Sequence, residues 1–560
     1  MSAELSISEI EKIARIIHTC IDEDKPNKII STLCMLTISQ RKSIVTFKID
    51  GRPALYFACL KGNADIMKYL LDECDPDVEQ KGLFKIRNLK NDIEAPPLWC
   101  ATGLDNGLDI IKLLTEYGAD VNGPTNSDST PLISACILLN IPIVEFLVEH
   151  GANIRKTTEK GYSGLMAAVA STELCAYLIS KGASVNASSM NGYTALHHAA
   201  HDHKLETVKL LCRNGGSMTA KTNYQETPLT IAALRGSSLV MKYFLDTYEF
   251  PLEEKCDAFD LLGCFLVDDD VTRCVLMWET ALRLRFEAEN TMTNTVKKVT
   301  PVSYFQYAVE ITSVESLRVL TEPNDLYMQA LLKYSRIYGE NHPVSIGNII
   351  YRGALYGDNG CYQRCVELWK YAYTLRFKQD DPLNDDTIQS AISLVNIICK
   401  LETKWINKKT KEQVQMTDVL DVFKLIVRQI ECGKSVLTIH PLSIIEQRHL
   451  QCLMKLTLHL IRLFQFIGGS VNERVDFIEQ VAYLVQLDPR GINNQTLLHL
   501  AVDPDISKVG DVSLMKFPSV YVVDILLVCG ANTNTRSNDG YDPLIKSIKF
   551  SDLPSEKVLN

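Results

Sequence analysis

A helix-opening pair ending in leucine recurs six times along the first half of this chain, at Ala54-Leu55, Pro97-Leu98, Pro131-Leu132, Gly164-Leu165, Ala195-Leu196 and Pro228-Leu229. The leucines are 43, 34, 33, 31 and 33 residues apart. A period of this length is the mark of a stacked repeat, in which no unit buries enough apolar surface to fold alone and each is completed by its neighbours. The first interval carries an insertion and the fourth a deletion. Such a stack offers an extended concave surface in place of a closed, water-excluding pocket, which favours binding over catalysis.

One unit shows the physical logic. In Asn191-Gly-Tyr-Thr-Ala-Leu-His-His-Ala-Ala200 the Asn-Gly pair supplies a tight finger turn, Thr194 starts a first helix, and Leu196, Ala199 and Ala200 form its buried face. Leu205-Glu-Thr-Val-Lys-Leu-Leu211 predicts the second helix, ended at Asn214-Gly215, where glycine tolerates a left-handed backbone. Tyr117-Gly118-Ala119-Asp120, His150-Gly151-Ala152-Asn153 and Lys181-Gly182-Ala183-Ser184 repeat the stop. Period and grammar are those of ankyrin repeats, and residues 51–250 read as one array of about six units with an insertion at 80–93, preceded by capping helices over 1–50.

From 251 to 487 the fingers disappear and longer amphipathic helices take over. Met328-Gln-Ala-Leu-Leu332, Gly339-Glu-Asn-His-Pro343, Tyr351-Arg-Gly-Ala354 and Cys365-Val-Glu-Leu-Trp-Lys-Tyr-Ala372 have tetratricopeptide-like spacing. Ankyrin grammar returns over 488–560: Asn494 to Val502 is a first helix, Tyr521 to Ala531 a second, and Asn538 to Leu544 opens a further unit that is incomplete. The expected fold class is therefore an all-α helical solenoid: an ankyrin array, a tetratricopeptide-like region and a second short ankyrin group.

Composition narrows the partners. A net charge of -10 argues against a general nucleic-acid binder, which needs a basic stripe to displace counterions. Seventeen cysteines are scattered without any Cys-x-x-Cys pair, which predicts reduced, mostly buried thiols and a cytoplasmic or nuclear location. The start, Met-Ser-Ala-Glu-Leu-Ser-Ile-Ser-Glu, is acidic and amphipathic, unlike a signal peptide. No apolar run reaches membrane-spanning length; Val520 to Val528 is interrupted by Asp524. Gly-x-Ser-x-Gly and phosphate-loop patterns are absent, so the expectation is a non-catalytic adaptor without cofactors.

Several stretches go beyond generic repeat grammar: Ile93-Glu-Ala-Pro-Pro-Leu-Trp99, Asp260-Leu-Leu-Gly263, Met328 to Leu332, Tyr351 to Ala354 with Leu368-Trp-Lys-Tyr-Ala372, Asp488-Pro-Arg-Gly-Ile-Asn-Asn494, Leu498-His-Leu-Ala-Val-Asp503 and Lys516-Phe-Pro-Ser519. In these and in its domain order the chain resembles the feminization-1 family. The resemblance implies a substrate receptor of a cullin-RING ubiquitin ligase, with a degron, often at the C-terminus of the target protein, held by the first ankyrin array. A C-terminal box would dock elongin and cullin subunits.

Two departures qualify that implication. The family's degron pocket uses acidic residues to receive a basic terminal residue, as a carboxylate can take a forked guanidinium. At the corresponding positions stand Ile137 and Leu138 in one stretch, and Asn88 or Leu89 in the other with Lys85, Arg87 and Lys90 nearby. The expected ligand is therefore an apolar or acidic peptide, not an arginine-ended one. The docking box is not recognised before Asn560. A look-alike, Leu450-Gln-Cys-Leu453, lies in a continuous helical pattern and reads as core, so an interaction scaffold without ligase docking is the alternative reading.

Candidate peptide-binding residues are Asn88, Leu89, Trp99, Asp128, Ile137, Leu138, Asn140 and Tyr162. Trp99 has two readings, a ligand contact or a filler beneath the 80–93 insertion. Asp105, Asp128 and Tyr162 hold finger or inner-helix positions that also fit a solvated face. His197 and His201 have the i, i+4 spacing that can hold zinc, but His197 occupies the ankyrin position that hydrogen-bonds across neighbouring turns, so no metal is expected. Cys361 and Cys365, four apart beside Trp369, read as packing residues.

Overall fold

The computed structural model describes residues 5–85, 92–289, 308–320, 322–379, 381–407, 412–439, 444–509 and 512–550. It is helical throughout except for two short hairpins, and it forms two compact units, Met1–Arg285 and Phe286–Asn560.

The first unit opens with three helices, Ile7–Asp22, Pro26–Leu33 and Ile38–Thr46. The first is set by a capping box: Ser6 Oγ accepts from Glu9 N at 3.4 Å while Glu9 Oε2 accepts from Ser6 N at 2.9 Å. Six helix pairs follow. Their first helices are Ala54–Leu60, Pro97–Ala101, Pro131–Ile137, Gly164–Ala167, Ala195–His201 and Pro228–Leu234. Every one starts at the repeated pair found in the sequence. These helices pack on one another in chain order and form the inner layer, backed by second helices such as Leu205–Arg213. The repeated leucines, from Leu55 to Leu229, are 0 to 2% exposed, so the period is the period of the core.

Backbone hydrogen bonds join the fingers in series. Asn126 N donates to Glu94 O, Glu159 N to Ser127 O, Met190 N to Lys160 O and Asn223 N to Asn191 O, at 2.9 to 3.1 Å. The helix stops behave as the sequence predicts: Gly118, Gly151, Gly182 and Gly215 have φ between +81° and +94°.

The first compact unit extends beyond the ankyrin array, to Arg285. Helices Leu252–Leu266 and Val271–Glu289, the latter as far as Arg285, belong with the array, the former packing on Pro228–Leu234. The reason lies in the Asp260-Leu-Leu-Gly263 stretch. A Cβ at Gly263 would lie 2.4 Å from Trp278 Cδ1, and Trp278 Nε1 donates to Asp260 O at 3.0 Å. Buried Asp260 in turn binds Arg285 at 2.7 Å. The motif is a helix-closing device.

The second unit uses the same device. Gly353 would place a Cβ 2.4 Å from Trp369 Cδ1, and Trp369 Nε1 donates to Ile350 O at 2.8 Å. Its helices form two layers. Asp385–Ile406, Ile444–Leu463, Leu497–Ala501 and Pro543–Phe550 follow one another in one layer; Tyr362–Gln379, Met416–Ile439, Val471–Leu487 and Val520–Val528 do so in the other. The layering thus runs unbroken from the long helices into the second ankyrin group, across the expected boundary at 487. Leu450 and Leu453 are 2% and 0% exposed, in the core as expected. Cys365 is buried, but Cys361 is exposed and precedes its helix, so the pair does not pack as one. No described helix is long and apolar enough to cross a membrane.

Candidate functional site

The insertion after the first helix pair folds as a hairpin. Gly82–Phe84 pairs antiparallel with Ile93–Ala95 in the register Gly82↔Ala95, Leu83↔Glu94 and Phe84↔Ile93. Glycine at 82 is required, because a Cβ there would meet the Tyr56 ring at 2.3 Å. Asn88 and Leu89, with Arg87 and Lys90, lie outside the described residues; Lys85 and Asp92, next to the Phe84↔Ile93 pair on its loop side, are exposed.

Both readings of Trp99 meet in its position. The indole lies edge-on to Phe84 of the insertion, with centroids 5.7 Å apart, and its Nε1 donates to Ser129 Oγ of the next finger at 3.3 Å. It is half-buried and ties the insertion to the finger, as a filler beneath the insertion would. Asp128 is exposed at the tip of that finger in the left-handed region, φ +59°, with the turn drawn together by Thr125 Oγ1 accepting from Ser127 N and Ser129 N.

Ile137 and Leu138 are 57% and 52% exposed at the end of the third inner helix. Both would be expected in a core on composition alone. Leu138 reaches across to within 3.8 Å of where a Cβ on Gly103 would stand, so the two units present a continuous surface here. Asn140 is committed elsewhere: its Oδ1 caps the next helix by accepting from Ile143 N at 3.3 Å. Asp105 is exposed.

Tyr162 turns to the fifth unit. Its ring meets His198 edge-on at 5.4 Å and its hydroxyl donates to Met166 O at 3.4 Å. Tyr193 approaches the same histidine at 5.5 Å and donates to Glu226 Oε2 at 3.1 Å. His198 is thus held between two tyrosines; its covered Nε2 has no hydrogen-bond partner, and desolvation lowers its pKa. Sequence reasoning missed Tyr193 and Glu226 as neighbours of this position. The Gly-Tyr pairs at 161–162 and 192–193, one repeat apart, were the available signal.

The remaining histidines are tied to protein groups. His197 is fully buried, with Nδ1 2.9 Å from Thr194 Oγ1 and Nε2 3.2 and 3.3 Å from Ala220 O and Glu226 O. His201 pairs with Asp202 and His203 with Ser237. Among the described residues no group of three or more His, Cys, Asp or Glu side chains is placed to hold a metal.

Phe84 with Trp99, Ile137 with Leu138, and Tyr162 with His198 are apolar or aromatic groups of the array that stay at least partly exposed. Exposed apolar surface of this kind gains from being covered. The ankyrin-repeat family, described as three copies, matches residues 17–122, 81–158, 98–189 and 165–254. Mouse protein fem-1 homolog A-like is 30% identical over 538 residues, covering 88% of this chain and 81% of the relative. Human protein fem-1 homolog A is also 30% identical, over 553 residues, with 88% and 82% covered. Mouse protein fem-1 homolog C is 33% identical over 333 residues, 58% of this chain and 52% of the relative. A likeness that covers 88% of the chain places it in the fem-1 family of ankyrin-repeat, protein-interaction proteins.

Proposed function

We propose that this chain is a non-catalytic adaptor for protein ubiquitination, the substrate-recognition subunit of a cullin-RING ligase, holding a target by a short peptide on the inner face around residues 80 to 165. The supporting observation is the exposure of Ile137 and Leu138, at positions where the family resemblance implies an acid for an arginine. An apolar floor of this kind cannot neutralise a guanidinium, which would lose its hydration without a partner. The peptide is therefore apolar or acidic at the position that enters here, and it engages no arginine-ended degron. Ligand entry costs little rearrangement, because the finger ladder already fixes the surface.

Ligase membership is tested by quantitative co-purification of elongin and cullin subunits with the tagged chain. Stoichiometric recovery is the expected result. The competing reading is a scaffold that binds a partner without ligase docking; the burial of Leu450 and Leu453 favours it to the extent that this look-alike cannot serve as the box. Absence of both subunits, with the array still folded, would contradict ligase docking by these 560 residues.

A further inference from the structure

Two clefts flank the Asp385–Ile406 helix in the second unit. One, of about 330 Å³, has Ile388 and Ile392 on one wall and Arg448, Cys452 and Lys455 on the other. The second, of about 270 Å³, is lined by Tyr362 and Trp369 beneath Asn396, Lys400 and Lys404. Asn396, Lys400 and Lys404 follow one another at i, i+4 and i+8, hence on one helix face. Four lysine or arginine side chains line the pair of clefts, Arg448, Lys455, Lys400 and Lys404, against one carboxylate, that of exposed Asp358. A basic surface is unexpected on a chain of net charge -10.

Three of these four cations also lack a protein partner among the described residues. Lys370 and Lys424, elsewhere in the unit, are paired with Asp418 at 2.7 Å and Asp476 at 2.6 Å. Lys400, Arg448 and Lys455 form no hydrogen bond or ion pair among the described residues. Lys404 donates to the Tyr362 hydroxyl, and His449 is held by Leu383 O at 2.7 Å and Asp385 at 2.9 Å. Each unpaired cation thus stands beside apolar walls with no anion of its own.

We propose that this face binds an acidic peptide segment of a partner protein, its carboxylates on Lys400, Arg448 and Lys455 and its apolar side chains in the two clefts. Charge complementarity selects the occupant. The clefts suit aliphatic side chains, and the Trp369 ring, packed on Gly353 with its N–H committed to Ile350 O, offers no stacking platform for a base. The clefts lie about 14 Å apart along the helix, from the rise per residue, on its two flanks. An extended peptide spans that diagonal in about five residues.

The test uses the full chain and a fluorescein-labelled peptide of about twelve residues, aspartate and glutamate with two leucines about five residues apart, read by anisotropy. Saturable, salt-sensitive binding is expected, weakened at least about tenfold in the Lys400→Glu/Arg448→Glu/Lys455→Glu variant and by replacing the leucines with serine. Because the ankyrin groove is itself proposed to take apolar or acidic peptides, the parent and the charge-reversed protein are compared in the Ile137→Asp/Leu138→Asp background, so that binding at the second unit alone is read. Absence of saturable binding overturns the proposal, as does unchanged binding by the charge-reversed variant. Equal affinity for the serine peptide or for polyuridylate would reduce the surface to general anion attraction and overturn it as well. The reversed side chains are exposed or half-buried, so the variant should keep the parent's circular dichroism and melting point.

Discussion

The first ankyrin array and the short second group build the same finger in different surroundings. In the array, Thr194 Oγ1 lies 2.9 Å from His197 Nδ1 and Asn223 N donates to Asn191 O at 2.9 Å. In the second group, Thr496 Oγ1 lies 2.8 Å from His499 Nδ1 and Asn538 N donates to Asn493 O at 2.8 Å. Local hydrogen bonding is therefore set by the repeat itself. Burial is set by the neighbours. Leu196 and Leu229 are fully enclosed, whereas Leu544, at the same place in its unit, is 46% exposed, and Ile545 and Ile548 beside it are 43% and 51% exposed.

The largest difference should appear on truncating that leucine. Leu196→Ala is expected to cost about 2–5 kcal/mol, as for other enclosed leucines, and Leu544→Ala less than about 1 kcal/mol, in urea unfolding followed by circular dichroism. Equal costs would break the comparison, since they would mean that stacking contributes nothing beyond the unit.

Acid should act strongly on both units. Burial lowers the pKa of His18, His197 and His459 to about 4. Their folded pKa values lie below the ordinary value, so the unfolded chain takes up protons first as pH falls. The stability these histidines contribute is complete above about pH 6.5 and is lost on descent towards pH 4. Between pH 7 and 5 each should remove about 2 kcal/mol, and His197→Gln should flatten that slope in the first unit's transition alone. A slope unchanged by the substitution would contradict the assignment.

The finger glycines sharpen the contrast. At Gly192, φ +80°, a Cβ would stand 2.9 Å from Thr222 Cα of the next finger; at Gly540, φ +81°, it would meet nothing within 4 Å. Gly192→Ala should therefore cost about 2–3 kcal/mol, combining left-handed strain with a backbone clash, and Gly540→Ala about 1 kcal/mol. The smallest stability effect is expected at the inner face. Ile137→Asp/Leu138→Asp, at exposed positions, should shift thermal stability by no more than about 0.5 kcal/mol.

Much of this was legible in the residues. The leucine period gave the six inner helices, and the Gly stops gave their ends, because both depend on local backbone chemistry. The hairpin at 82–84 and 93–95 was visible only as an insertion: its pairing depends on Gly82 lying against Tyr56, a contact 26 positions away in sequence. The shared Gly-Trp closure at Gly263 with Trp278 and Gly353 with Trp369 was hidden for the same reason, since spacing does not reveal which helix faces meet. Trp99, Ile137 and Leu138 were candidates from their repeat positions, and the structure leaves all three at least partly exposed. Asn140 could not be recognised as a cap, because the cap depends on where the following helix begins.

The account's central claim is that the inner face accepts an apolar or acidic peptide in place of an arginine-ended one. The most direct measurement is binding of a library of C-terminal peptides, varied at the last residues, to the full chain and to its Ile137→Asp/Leu138→Asp variant. The account predicts that the tightest class ends in apolar or acidic residues and that the double substitution weakens apolar-ended peptides at least about tenfold. Arginine-ended peptides as the tightest class for the parent chain, or apolar-ended peptides bound equally well by the variant, would contradict it.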